Sequence, residues 1–234
     1  MISFISFDKL HNQRGFSLVE MAIVLVILGF LLAGVLAPLS SQREVSQRQA
    51  IERQLQEIRE ALVGYAQANG ALPCPVQAGT GNVIQPVPTA ITNCNNNFNS
   101  LPYATLGLQG NILNNNLVDD YLNYFRYRIT RVGPWAYARS PIPVATPAIP
   151  ADLQVCNSDI GVTLTDCGPG RIVATDLVAV VTAIRDNVTP SAEETQNTDN
   201  NPVFIAHEPN DIFDDVSIWI APAILTYEMT RAGR

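Results

Sequence analysis

Few residues in this 234-residue chain are equipped for covalent chemistry. The histidines are His11 and His207, and Lys9 is the only lysine. His11 and Lys9 sit in a short polar leader ahead of an apolar stretch, so behind it only His207 could act as a general base or metal ligand. No lysine is left there for a Schiff base or a Ser–Lys pair, and neither Gly-x-Ser-x-Gly nor His-Glu-x-x-His occurs. No catalytic residue, metal or cofactor is expected. The chain does not read as an enzyme.

The remaining reactive groups have plainer readings. Cys74, Cys94, Cys156 and Cys167 all follow the apolar stretch and form no Cys-x-x-Cys pair. Lys9 and Arg14 ahead of that stretch keep the N-terminus cytoplasmic, which places the cysteines in an oxidising compartment where disulfides form. Sequence neighbours are the favoured pairs, Cys74 with Cys94 and Cys156 with Cys167; the other two connectivities stay open, and a zinc site is the weaker alternative. Arg126, Arg128, Arg131 and Arg139 alternate with Tyr124, Tyr127, Trp135 and Tyr137, a mixture that can hold single-stranded nucleic acid. The net charge of −7 argues against it, and a solvated strand face with its aromatics inside is the expectation. Asp186, Glu193, Glu194 and Asp199 are oxygen ligands without EF-hand spacing, which favours a solvated loop; Asp211, Asp214 and Asp215 fit a turn before a strand.

The elements that carry these groups begin with an uncharged run, Met21–Leu39, about 29 Å long as a helix and so matched to a bilayer. Glu20 stands at its start, where a carboxylate costs about 2.5–3.5 kcal/mol on membrane-insertion scales unless it is paired or snorkels to the interface. Pro38 should kink the helix without ending it. From Gln42 to Ala68 the pattern becomes amphipathic, with Ile51, Leu55, Ile58, Leu62 and Tyr65 on one stripe. Glu44–Arg48, Arg48–Glu52 and Arg53–Glu57 are opposite charges four apart, and Asn69-Gly70 with Pro73 ends the helix. About 165 residues follow, enough for one domain with its own core. Residues 71–118, rich in Gly, Pro and Asn, read as a connecting region with one short helix. Strands are expected at 125–132, 177–184 and 216–220, loops at 141–150 and 190–202, and a helix at 223–231. The fold class is α+β: a long N-terminal helix packed on an antiparallel sheet.

The junction Arg14-Gly15-Phe16-Ser17-Leu18-Val19-Glu20 places glycine before the apolar run. A secretory signal loses its apolar region on cleavage, whereas a cut after Gly15 keeps it. This junction resembles the processing site of type IV pilins and pseudopilins. The resemblance implies a prepilin peptidase that cuts after Gly15 and methylates the new amino group of Phe16. It also makes Glu20 the assembly glutamate, offsetting the N-terminal amine of a neighbouring subunit. A second stretch, Asp119-Asp120-Tyr121-Leu122-Asn123-Tyr124-Phe125-Arg126-Tyr127, resembles the Asp-x-aromatic-Gly-Asn-Pro-aromatic-x-Tyr run of the major pseudopilins of type II secretion systems. Leu122 and Tyr124 replace its glycine and proline, so the fold analogy is expected to hold better than the turn geometry.

The implied organisation is a leader at 1–15, a transmembrane and assembly helix at 16–39, its amphipathic continuation at 40–70, and a periplasmic domain at 71–234. Cysteines placed away from the C-terminus and a long mature chain point to a minor pilin or pseudopilin. Such a subunit waits in the bacterial inner membrane as a single-pass protein, N-terminus cytoplasmic, and then enters a filament. Its partners are the peptidase, other subunits, the lipid bilayer and an assembly platform with a separate ATPase. The alternatives are a DNA-receptor minor pilin using the arginines and a membrane-anchored periplasmic enzyme using His207.

Overall fold

The computed structural model describes residues 17–89, 93–95, 97, 99–142, 150–185 and 189–234, without the side chains of 31–44, 134 and 135. Gly15, Phe16 and Asp186 lie outside the described residues, as do the side chains of Pro38, Glu44 and Trp135. The chain divides into two compact units, 1–47 and 48–234. One helix, α1 (Leu18–Asn69, 52 residues), belongs to both by sequence. Among the described residues no helix is long and apolar enough to cross a membrane, the expected span at Met21–Leu39 falling partly on residues whose side chains are not described.

In the second unit α1 contributes a stripe of Ile51, Leu55, Ile58, Leu62 and Ala66, all buried. Tyr65, expected on the stripe, is half-buried, and Ala66 beside it is fully buried. Arg48 pairs with Glu52 at 2.9 Å, while Arg53 Nε donates to the Gln49 carbonyl, and no described ion pair joins it to Glu57. Gly70 ends the helix in left-handed backbone (φ +76°), its N–H donating to the Ala66 carbonyl at 2.7 Å. A side chain there would meet Ser140 Oγ at 2.8 Å.

The stripe packs on a five-stranded antiparallel sheet: β1 (Asn111–Leu113), β2 (Asn116–Val118), β3 (Tyr124–Ile129), β6 (Ala179–Ile184) and β8 (Val216–Ile220), in that spatial order. Alternation sets the faces. Phe125, Tyr127, Ile129, Val181 and Ala183 join the helix stripe in one core, with Leu225 and Met229 of the terminal helix α5 (Pro222–Arg231). Tyr127 is fully buried and its hydroxyl donates to the Pro73 carbonyl at 3.0 Å. Val180, on the other face of β6, packs with Leu153, Val155, Leu177 and Phe204. These belong to a second sheet of β5 (Ile172–Leu177), β4 (Leu153–Cys156) and β7 (Val203–Ile205), in which β4 and β7 run parallel.

Four departures from the sequence reading have physical causes. The Asn-rich run at 111–116 is a hairpin, not a loop: Asn114 and Asn115 both take positive φ (48° and 57°), the geometry of a two-residue turn between strands. The apolar run at 177–184 spans two strands in different sheets, with Val178 between them. Strand β3 stops at Ile129, and Val132 starts a short helix, α3 (Val132–Trp135). The acidic loop at 190–202 contains helix α4 (Ala192–Thr198), fixed by a reciprocal cap in which Ser191 Oγ accepts from the Glu194 N–H and Glu194 accepts from the Ser191 N–H. The short helix expected within 71–118 is α2 (Tyr103–Leu106).

Candidate functional site

Helix α1 opens with a reciprocal cap of its own. Ser17 Oγ accepts from the Glu20 N–H at 3.3 Å, and Glu20 Oε2 accepts from the Ser17 N–H at 2.9 Å. A Ser-x-x-Glu ahead of an apolar run is the sequence signature of this cap, a signal the reading of Glu20 as an assembly residue passed over. The carboxylate also faces the positive end of the helix dipole. One oxygen is used in this bond, which leaves acceptor capacity for an external cation.

Behind Glu20 every side chain to Phe30 is exposed. Leu18 is 89% exposed and Phe30 76%, and Ile23, Leu25, Val26 and Ile27 each exceed half. The apolar residues occupy all sides of the helix rather than one stripe, the pattern of a segment surrounded by apolar material. Glu20 is the single charge in it.

The arginines of β3 are turned inward. Arg128 is 4% exposed, and its guanidinium donates to Asn200, through Nη1 to Oδ1 at 2.7 Å and through Nη2 to the carbonyl. Burial, and then Arg131 beside it, lower its pKa to about 10. Arg126 donates to the Asn197 carbonyl at 3.4 Å, and burial lowers its pKa against the pull of Asp199 and Asp215. Arg131 reaches Asn200 Oδ1 at 3.2 Å, and Arg139 reaches Asn93 Oδ1 at 2.8 Å. Instead of a solvated face, Arg126 and Arg128 form an internal polar layer with the end of α4 and the chain just after it. Asn197 extends that layer: its side-chain amide exchanges two hydrogen bonds with the Ile205 backbone, as a neighbouring strand would, and donates to Asp215 at 2.9 Å.

A family model, the prokaryotic N-terminal methylation motif, matches residues 10–36. No curated protein and no solved structure matches. The chain is a type IV pilin-like protein. The motif implies processing by prepilin peptidase and assembly with other pilin subunits, and it marks a membrane-anchored pilin. Gly15 and Phe16, the cleavage pair expected from the sequence, fall inside the matched segment, and so does Glu20.

Elsewhere in this pilin-like chain the second resembling stretch forms a tight turn. Buried Asp119 accepts from the N–H groups of Tyr121 and Asn123 at 2.8 Å each, and from Asn123 Nδ2 at 2.6 Å. Leu122, in the place of the motif's glycine, has φ +67°, the backbone region that favours glycine. The turn therefore carries backbone strain at Leu122. Disulfides join Cys74 to Cys94 and Cys156 to Cys167. His207 is engaged at both ring nitrogens, Nε2 with Glu193 at 2.9 Å and Nδ1 with the Glu208 carbonyl at 2.6 Å, and its ring lies 4.2 Å from that of Phe213. Asp199 holds the following turn, accepting from the Asn201 N–H at 2.9 Å.

Proposed function

We propose that this pilin-like chain is a structural subunit, a minor pilin or pseudopilin, of a type IV pilus or a type II secretion pseudopilus. The observation that carries the reading is the exposed apolar helix from Leu18 to Phe30 with Glu20 as its lone charge. Such a surface is stable only in lipid or against other helices. The subunit waits in the bacterial inner membrane as a single-pass protein with its domain in the periplasm. An assembly platform with a separate ATPase then moves its helix into a bundle of like helices. There the Glu20 carboxylate meets the N-terminal amine of a neighbouring Phe16, and the pairing sets axial register, because an unpaired charge is costly in an apolar bundle. The chain acts as substrate of the peptidase and carries no catalytic role of its own.

Glu20→Gln and Glu20→Leu test this. Glutamine keeps a helix cap and loses the charge; leucine loses both. Both variants should be cleaved and held in the membrane, yet enter sheared filaments or filament cross-links at least tenfold less than wild type. Incorporation of Glu20→Gln at the wild-type level would contradict the pairing role.

A further inference from the structure

The two sheets end in four edge strands, β1 and β8 in one and β5 and β7 in the other. A strand edge offers unpaired N–H and C=O groups to any other chain. Three of these edges are blunted. Beside β7 the Asn197 amide takes the Ile205 N–H and carbonyl. Along β5 the pairing with β4 slips register, and Asp176 turns to φ +55°. Strand β1 is only three residues long. Strand β8 has none of these devices: Val216–Ile220 carries no charge, is β-branched or aromatic except at Ser217, and pairs with β6 at five successive residues without a shift.

The direction of the β8 backbone follows from its neighbour. The Thr130 N–H donates to the Val178 carbonyl at 2.8 Å, in line with the β3–β6 register. The even-numbered residues of β6 therefore turn their backbone groups to β3 and the odd-numbered ones to β8. Val181 and Ala183 stand opposite Ile218 and Val216, which bond inward. Ser217 and Trp219 turn their N–H and C=O groups outward, and no hydrogen bond from the described residues reaches them.

A cleft of about 330 Å³ lies along this edge. Four consecutive residues, 216–219, line it, whereas a face of the strand would show only every second one. Arg48 and Glu52 of α1 line it too, with His207, Glu208 and Asp215. Arg48 lies 2.9 Å from each of the two glutamates, and His207 is paired with Glu193. Even with Asp215 neutral, one guanidinium against Glu52 and Glu208 leaves the cleft negative.

We propose that β8 is a docking edge for an extended, basic segment of a partner protein, which joins the sheet as a further strand. Main-chain bonds to Ser217 and Trp219 supply affinity, and a lysine or arginine beside Glu52 and Glu208 selects the partner. The site belongs to the globular unit and does not depend on the filament reading.

The test uses the full chain in detergent micelles and the end-blocked hexapeptide Lys-Val-Lys-Val-Lys-Val, with Glu-Val-Glu-Val-Glu-Val as its counterpart. Amide exchange, followed residue by residue by NMR, should slow about tenfold or more at Ser217 and Trp219 with the lysine peptide and change little at Val216 and Ile218. Ser217→Pro removes an outward N–H, keeps the ladder to β6, and should weaken binding about tenfold or more. Ser217→Ala, which loses only the hydroxyl contact with Thr182 at 2.8 Å, should bind within about twofold of wild type. Unaltered exchange at millimolar peptide, equal slowing by the glutamate peptide, or undiminished binding to Ser217→Pro would each overturn the proposal. So would self-association that protects Ser217 and Trp219 without peptide, since a second copy would then hold the edge. Should circular dichroism show Ser217→Pro unfolded, the lysine peptide methylated at its backbone nitrogens takes its place and must lose binding.

Discussion

The helix segment Leu18–Phe30 and the polar layer beside β3 invert the usual arrangement in opposite ways. The first exposes isoleucines, leucines and valines on every side. The second buries arginines, Arg128 at 4% exposure among them, with asparagine oxygens as their partners. The buried charges are answered from within the chain, by Asn197 in α4 and Asn200 after it. The exposed apolar residues have no such answer among the described residues of their own unit. One region therefore reports on the fold and the other on surroundings that the fold does not supply.

The largest effect should come from placing a charge in the exposed segment. Val26 and Val83 are both 57% exposed, but they lie in different units. Val26→Lys adds an insertion penalty of about 2.5–3.5 kcal/mol, roughly a hundredfold against membrane retention. Val83→Lys should change stability by no more than about 0.5 kcal/mol. Membrane fractionation of the two variants checks the difference, and equal behaviour would break the contrast between the regions.

An effect of comparable size is expected from the buried acids. Asp215 titrates near 7 in the folded chain against an ordinary 3.8, mainly through burial. Between those values the folded state binds more protons than the unfolded one, so this group makes stability fall as pH rises, by at most about 1.4 kcal/mol per pH unit. The penalty is complete above pH 7 and absent below about pH 4. Asp215→Asn should flatten the pH dependence of stability across that window and exceed wild-type stability at pH 8. An unchanged slope would show that Asp215 is charged and satisfied.

The smallest effect concerns Leu122, which is 57% exposed at φ +67°. Leu122→Gly relieves the left-handed strain and should stabilise the domain by about 1 kcal/mol, read as a rise in Tm. A loss of stability would mean that the leucine side chain contributes more than its backbone costs.

Much of the scaffold was legible because its signals are periodic. Ile51, Leu55, Ile58 and Leu62 announce a helix face, and Phe125, Tyr127 and Ile129 a strand face; both are buried in one core. The hairpin at Asn114-Asn115 escaped because asparagine is common in loops and its tolerance of positive φ does not show in composition. Helix α4 escaped because six of its seven residues are polar; its one strong signal was Ser191-x-x-Glu194, the same signature that opens α1. Arg126 and Arg128 were misread for a different reason. Alternation shows that they face away from Phe125 and Tyr127, but not that a second sheet and the Asn197–Asn200 segment cover that face. Likewise, the open edge of β8 is a long-range product of topology, which residue spacing cannot report.

The pilin-like assignment rests on the junction at Gly15, and the mass of the mature chain tests it most directly. The intact protein, purified from cells with and without prepilin peptidase, should differ in its start. With the peptidase the predicted chain begins at Phe16 and carries one extra methyl group; without it the chain begins at Met1. A chain that still begins at Met1 when the peptidase is present would contradict the assignment.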